Sequence, residues 1–69
     1  MKQSVIIMRN YLASRGYDVW PLKMQNGRFK ALLFKNDILH REGKKEFVKW
    51  NECIEETEEK FYVSITKNN

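Results

Sequence analysis

The sequence predicts an α+β fold in which an N-terminal helix, a three-stranded antiparallel sheet and a C-terminal helix follow one another. Three observations predict it. Apolar residues recur at helical spacing near the start, strand-like runs meet at Asn26-Gly27, and a glutamate-rich helical pattern follows residue 50. A chain of 69 residues has room for one core only, so we expect residues 1–69 to form a single domain. Both helices should pack on one face of the sheet.

Composition narrows the class of protein. The chain is 42% hydrophobic and 13% aromatic, which is typical of a globular domain. The single cysteine, Cys53, excludes an intramolecular disulfide and a cysteine-based zinc site, and one histidine, His40, adds little to a metal site. No apolar run is long enough for a membrane-spanning helix or a secretory signal. We therefore expect a cytoplasmic protein with no membrane contact, no cofactor, no metal and no catalytic residue, and hence not an enzyme.

The first helix is predicted over Lys2 to Arg15. Ser4 is a suitable N-cap, and Val5, Met8 and Leu12 follow helical spacing. Gly16 fits the left-handed position that commonly ends a helix.

The stretch from Tyr17 to Lys35 is predicted to be a β-hairpin closed by a two-residue type I′ turn at Asn26-Gly27. That turn places Lys23 opposite Lys30. Pro21 cannot donate to a ladder, so the first strand should be an edge strand at this point or should carry a bulge. Because side chains alternate, one face is apolar and is predicted to be core: Trp20, Leu22, Met24, Phe29, Ala31 and Leu33. The other face is basic near the turn and carries an exposed apolar patch at its far end: Val19, Leu32 and Phe34.

The second half of the chain completes the sheet and adds a helix. Lys35-Asn36-Asp37 reads as a turn into a third strand, Ile38 to Glu42, which Glu46 to Lys49 continues after an interruption. Asn51 is a suitable N-cap, and the apolar stripe of the helix that follows joins the core: Trp50, Ile54 and Phe61. Residues 61–66 either continue this helix or form a short terminal strand. We expect the helix to end near Lys60.

Charge points to a partner for the basic sheet face. Residues 1–49 carry 11 Lys/Arg and 4 Asp/Glu, whereas residues 50–69 carry 2 and 5. Nucleic-acid binding requires cations spaced along a phosphate backbone and polar groups that reach bases. We expect the basic face to bind nucleic acid, with DNA favoured and RNA left open, and with Arg28 as the best single contact. The predicted binding residues are Lys23, Gln25, Arg28, Lys30, Arg41, Lys44 and Lys45.

Part of the chain resembles two families of DNA-binding domain. The residues that carry the resemblance are Asn26 to Ala31, which enter the second strand, and Gly43 to Phe47, which lead through Trp50 to Ile54. Over about residues 17–61 this order is similar to the plant ethylene-response-factor domain and to the arm-binding domain of tyrosine integrases. The resemblance implies a three-stranded sheet that reads DNA, backed by a helix. The small size and the charge division also fit a phage or mobile-element protein.

Two alternatives compete with nucleic-acid binding. The chain could be an adaptor or inhibitor that binds a protein, either through the apolar patch or through the acidic face of the second helix, whose residues are Glu52, Glu55, Glu56 and Glu59. It could also form a homodimer through the patch or through the edge that Pro21 marks.

Overall fold

A computed structural model describes residues 2–67 and confirms the predicted fold class. Five elements follow in order: α1 (Gln3–Ser14), β1 (Tyr17–Lys23), β2 (Phe29–Lys35), β3 (Ile38–Glu42) and α2 (Trp50–Lys67). The strands form one antiparallel sheet in the order β1-β2-β3. Helix α2 packs against β1 and β2, and α1 packs against α2 and β1. The helices thus cover one face of the sheet, and the other is the open face.

Helix α1 begins before the predicted cap. The backbone carbonyl of Lys2 accepts hydrogen bonds from the amides of Val5 and Ile6 at 3.1 and 3.3 Å, so Lys2 is the N-cap and no side chain caps the helix. The prediction that Ser4 caps it was wrong, because Ser4 already lies within the first turn. The prediction for the other end is confirmed, since Gly16 follows the helix with φ +83°.

The first hairpin has a different turn from the predicted one. The Gly27 amide donates to the Met24 carbonyl at 3.0 Å, the Met24 amide donates to the Arg28 carbonyl at 2.8 Å, and Gly27 has φ +84°. Asn26 keeps a negative φ, and its side-chain oxygen accepts from the Arg28 amide. This is a three-residue loop, a type I turn followed by a left-handed glycine, and not a type I′ turn.

The longer loop shifts the strand register by one residue and exchanges the faces on which the β1 side chains lie. Lys23 pairs with Phe29, and Leu22 pairs with Lys30. A slip of one residue moves every side chain of a strand to the opposite face. The predicted faces are therefore right for β2 and wrong for β1.

The type I′ turn occurs in the second hairpin instead. Asn36 and Asp37 have φ +51° and +67° between the paired residues Lys35 and Ile38. Strand β3 has the predicted bounds. The chain leaves the ladder after Gly43, whose amide donates to the Ala31 carbonyl, and returns where Phe47 exchanges two hydrogen bonds with Phe29.

Helix α2 is longer than predicted at both ends. It begins at Trp50, with the Lys49 carbonyl accepting from the Cys53 amide, so Asn51 is not the N-cap. It runs to Lys67 without a break. The segment 61–66 is helical, and the predicted end near Lys60 was wrong.

The core lies between the sheet and the helices. Its buried apolar residues are Val5, Leu12, Val19, Ala31, Leu33, Phe47 and Cys53, with Ile54 and Phe61 packed beside them. Burial of a leucine such as Leu12 contributes about 2 kcal/mol relative to leaving it in water. Val19 was predicted to be exposed, whereas the predicted core residues Trp20, Leu22 and Trp50 are 58%, 40% and 58% exposed. The register shift explains the first three of these differences.

Candidate functional site

A groove lined by four cations runs along the helix-covered side of the sheet, between α2 and the chain that follows β3. We call it the basic groove. Its volume is about 240 Å³, and apolar side chains of the sheet and of α2 line it together with the hydroxyl residues Thr57 and Ser64. The cations that line it are Arg41, Lys44, Lys45 and Lys60.

A β-bulge places Arg41 in the basic groove. The pairing of β2 with β3 shifts between Leu33 and Phe34, so that Arg41 lies opposite Leu33 and Leu39 lies opposite Phe34, with His40 as the extra residue. Without the bulge, Arg41 would lie opposite Leu32 on the open face. The prediction that Arg41 belongs to an open basic face was wrong for this reason.

The loop between Gly43 and Phe47 carries Lys44 and Lys45, the next two cations of the basic groove. Residues 44–46 lie outside the ladder, since the flanking hydrogen bonds are made by Gly43 and Phe47. Lys45 lies over the ring of Phe47, with its Nζ 5.1 Å from the ring centroid. Both Lys44 and Lys45 thus reach the groove from a loop, which is one of the two forms, bulge or loop, that the sequence allowed for this interruption.

The four cations differ in their partners. Lys45 Nζ lies 2.5 Å and Lys60 Nζ 3.2 Å from the same Glu56 Oε1. These hydrogen bonds, that of Lys45 first, lower the pKa of Glu56 from its ordinary value. The side chains of Arg41 and Lys44 have no hydrogen bond or ion pair with any residue between 2 and 67. Of the four cations in the basic groove, Arg41 and Lys44 are therefore the ones whose charge is not neutralised within the protein.

The remaining predicted cations do not share one surface. Lys23 is paired with Phe29 at the helix-covered side of β1, whereas Lys30 lies on the open face and forms an ion pair with Glu42. The predicted Lys23–Lys30 neighbourhood was therefore wrong. Gln25 and Arg28 are exposed at the hairpin tip. An Asn26–Glu46 hydrogen bond of 3.1 Å holds that tip beside the loop of Lys44 and Lys45, so these predicted residues gather at one end of the molecule.

The open face is apolar where the sequence predicted cations. Its central positions are filled by the side chains of Trp20, Leu22, Leu32, Phe34 and Leu39. The Trp20 indole donates to Asp18 Oδ2 at 2.7 Å, and Lys30 is neutralised by Glu42. Of the predicted exposed patch, Leu32 and Phe34 lie here, whereas Val19 is buried.

The predicted acidic surface is present and lies between the helices. A second groove, bordered by Lys2, Ser4, Val5 and Met8 of the N-terminal part, is lined on the α2 side by all four predicted acids: Glu52, Glu55, Glu56 and Glu59. Glu58 is different, because it is buried and its carboxylate accepts hydrogen bonds of 2.8 Å each from Nε and Nη2 of Arg9.

Sequence reasoning missed Lys60 as a member of the basic groove. The two residues before it are glutamates, which made it look like part of an acidic face. The available signal was its spacing from Glu56, because residues four apart on a helix are neighbours and form ion pairs.

No protein-family model, no curated protein and no solved structure matched this chain. Between residues 2 and 67 no helix is long and apolar enough to span a bilayer. Within the same part of the chain, no three His, Cys, Asp or Glu side chains come together as a metal site.

Proposed function

We propose that this protein binds nucleic acid through the basic groove. The observation that carries the proposal is the pair of partnerless cations, Arg41 and Lys44, at the rim of a groove that also holds Lys45 and Lys60. A cation without an internal partner can contact a phosphate without first breaking an ion pair, and each such contact releases counterions condensed on the nucleic acid.

The chemistry of the groove suits a phosphate backbone. The guanidinium of Arg41 can donate two parallel hydrogen bonds to one phosphate, and Lys44 adds a mobile point charge. The hydroxyls of Thr57 and Ser64 are donors of the kind that position sugar-phosphate backbones without reading sequence. The proposal therefore concerns backbone contacts, with Arg28 and Gln25 at the neighbouring hairpin tip as candidates for contacts with bases.

Charge on the other surfaces favours this orientation. The groove between the helices is lined by four glutamates and should repel phosphate. On the open face, Lys30 is already paired with Glu42, the carboxylate of Asp18 lies at the opposite end, and Lys44 reaches only the border of this face. Nucleic acid should therefore approach the basic groove and not the open face.

Fluorescence anisotropy with a labelled 16-base-pair DNA duplex tests the proposal, with single-stranded DNA and duplex RNA of the same length as further probes. Replacement of both partnerless cations, Arg41→Gln with Lys44→Gln, should weaken binding at least tenfold at 50 mM salt. It should also reduce the slope of log affinity against log salt by about 2, since each phosphate contact contributes about 0.9.

Two further variants make the test specific. Lys2→Gln with Lys35→Gln removes the same charge from other surfaces and should change affinity less than threefold. Glu56→Gln frees Lys45 and Lys60 and should tighten binding. The proposal fails if none of the three probes binds at 50 mM salt, or if the Lys2/Lys35 variant loses as much affinity as the Arg41/Lys44 variant.

A further inference from the structure

Both tryptophans of the chain, Trp20 and Trp50, line one cavity, which we call the tryptophan cleft. Each of them is 58% exposed, although an indole is among the side chains that gain most from burial. The volume of the cleft is about 450 Å³, which lies within the range of ligand pockets. Between residues 2 and 67 the cleft and the basic groove have no lining residue in common, so a role for the cleft is independent of the proposed function.

The tryptophan cleft lies at the free edge of β1, opposite the N-terminal half of α2. Val19 and Pro21 of the helix-covered face and Trp20 of the open face all border it, so the cleft opens across the edge of the strand. The Met24–Arg28 hydrogen bond fixes the alternation along β1, so its odd-numbered residues direct their backbone groups to this edge. The carbonyl oxygens of Val19 and Pro21 are therefore hydrogen-bond acceptors on the strand side of the cleft.

The charged side chains that line the cleft are mostly acidic. They are the three carboxylates of Asp18, Glu55 and Glu58 and the guanidinium of Arg9, which sum to a formal charge of −2 in a chain whose net charge is +4. Arg9 is held by both carboxylate oxygens of Glu58, and Asp18 accepts a hydrogen bond of 2.7 Å from the Trp20 indole. A cleft lined mainly by one sign of charge raises the local concentration of the opposite ion. The ligand that this cleft attracts is therefore a cation.

Indoles and acceptors together favour the guanidinium of arginine over other cations. A cation over an aromatic face is attracted by the ring quadrupole, and tryptophan is the best ring for this contact. A guanidinium also stacks on aromatic faces, and its five N–H donors suit a cleft that offers carboxylates and backbone carbonyls. Free arginine fits less well, because its α-carboxylate needs a cation and the guanidinium of Arg9 is already held by Glu58. An arginine within another protein has no such carboxylate.

We propose that the tryptophan cleft binds an arginine side chain of a partner protein. The guanidinium lies against the indoles of Trp20 and Trp50, and its N–H groups donate to Asp18 and Glu55. One side chain makes few contacts, so a short arginine peptide should bind with a dissociation constant on the order of 1 mM. A whole partner, which adds contacts around the cleft, should bind more tightly.

A ¹⁵N NMR titration with a glycine–arginine–glycine tripeptide blocked at both ends tests this inference. The chain has two tryptophans, so two indole N–H signals report directly on the cleft, and both should shift with one dissociation constant. The same peptide with citrulline, which keeps the shape of arginine and lacks its charge, should bind at least tenfold more weakly. A lysine peptide and free L-arginine should each bind at least threefold more weakly than the arginine peptide.

Three variants locate the contact. Glu55→Gln and Glu59→Gln remove the same charge from α2, and of the two glutamates only Glu55 lines the cleft. Glu55→Gln should weaken binding of the arginine peptide at least threefold, and Glu59→Gln should leave it nearly unchanged. Trp50→Leu keeps an apolar side chain at an exposed position and removes the ring, so it should weaken binding at least fivefold while the circular dichroism spectrum stays the same.

Four results would overturn the inference. They are indole signals that stay in place up to 20 mM arginine peptide, a citrulline peptide that binds as tightly as the arginine peptide, equal losses in the two glutamate variants, and tighter binding of the lysine peptide or of free L-arginine. None of these results depends on whether the basic groove binds nucleic acid.

Discussion

Glu58 shows how a single residue departs from the pattern around it. Five glutamates lie between positions 52 and 59, and only this one is buried, with 4% of its surface exposed. Arg9 of α1 donates to both of its carboxylate oxygens, and the hydrogen bond to Glu58 is the largest cause of a raised pKa at Arg9. The pair ties α1 to α2. Sequence alone could not select Glu58, because the selection depends on where α1 crosses.

Cys53 follows the pattern around it. It lies next to the apolar stripe of α2 and is fully buried. Burial raises the pKa of the thiol, so the reactive thiolate is disfavoured.

The lowered pKa of Glu56 predicts a pH dependence of stability. A carboxylate whose pKa is lower in the folded protein than in the unfolded chain stabilises the fold above its unfolded pKa. That contribution is lost as the pH falls from the ordinary value of 4.5 through the folded pKa. Wild type should therefore be slightly more stable than Glu56→Gln at pH 7, and this difference should shrink as the pH falls below 4.5. Urea unfolding at pH 7 and below pH 4.5 measures the difference, and a difference that grows in acid would contradict the assigned ion pairs with Lys45 and Lys60.

At the scale of elements, the two hairpin turns decide which residues form the core. Asn-Gly is the commonest signal for a type I′ turn, and it predicted a two-residue loop at Asn26-Gly27. The same residues also suit the observed three-residue loop, in which only Gly27 takes a positive φ. Because the observed loop is one residue longer than the predicted one, Trp20 lies on the open face and not in the predicted core.

Substitutions at Asp37 test whether the second hairpin is closed by a type I′ turn. Asp37 has φ +67°, a conformation that costs a residue with a Cβ about 1 kcal/mol and costs glycine little. Asp37→Gly should therefore stabilise the fold by about 0.5 kcal/mol, whereas Asp37→Ala, which removes the same charge, should destabilise it by about 1 kcal/mol. Urea unfolding at pH 7 distinguishes them. Equal effects of the two variants would show that charge, and not the type I′ turn, governs this position.

Over the whole molecule, the order and type of the elements were predictable and the surfaces were not. The fold class and the bounds of β3 were predicted correctly because they depend on signals that extend over only a few residues. These signals are helical periodicity, Gly16 and the strand-forming runs. Which side chains lie on each face depends on the strand register. The position of Arg41 depends on a β-bulge that no residue type in this stretch predicts. Of the predicted cations, Arg41, Lys44 and Lys45 therefore lie together in the basic groove, whereas the face of the sheet predicted for Arg41 was wrong.

The most direct test of the central claim is a ¹⁵N NMR titration of the protein with a short DNA duplex. We predict that the amides of Arg41, Lys44, Lys45 and Ser64 around the basic groove shift together, while the indole N–H of Trp20 on the open face does not move. A titration in which the Trp20 indole and the Leu32 amide shift and the groove amides stay in place would contradict the account.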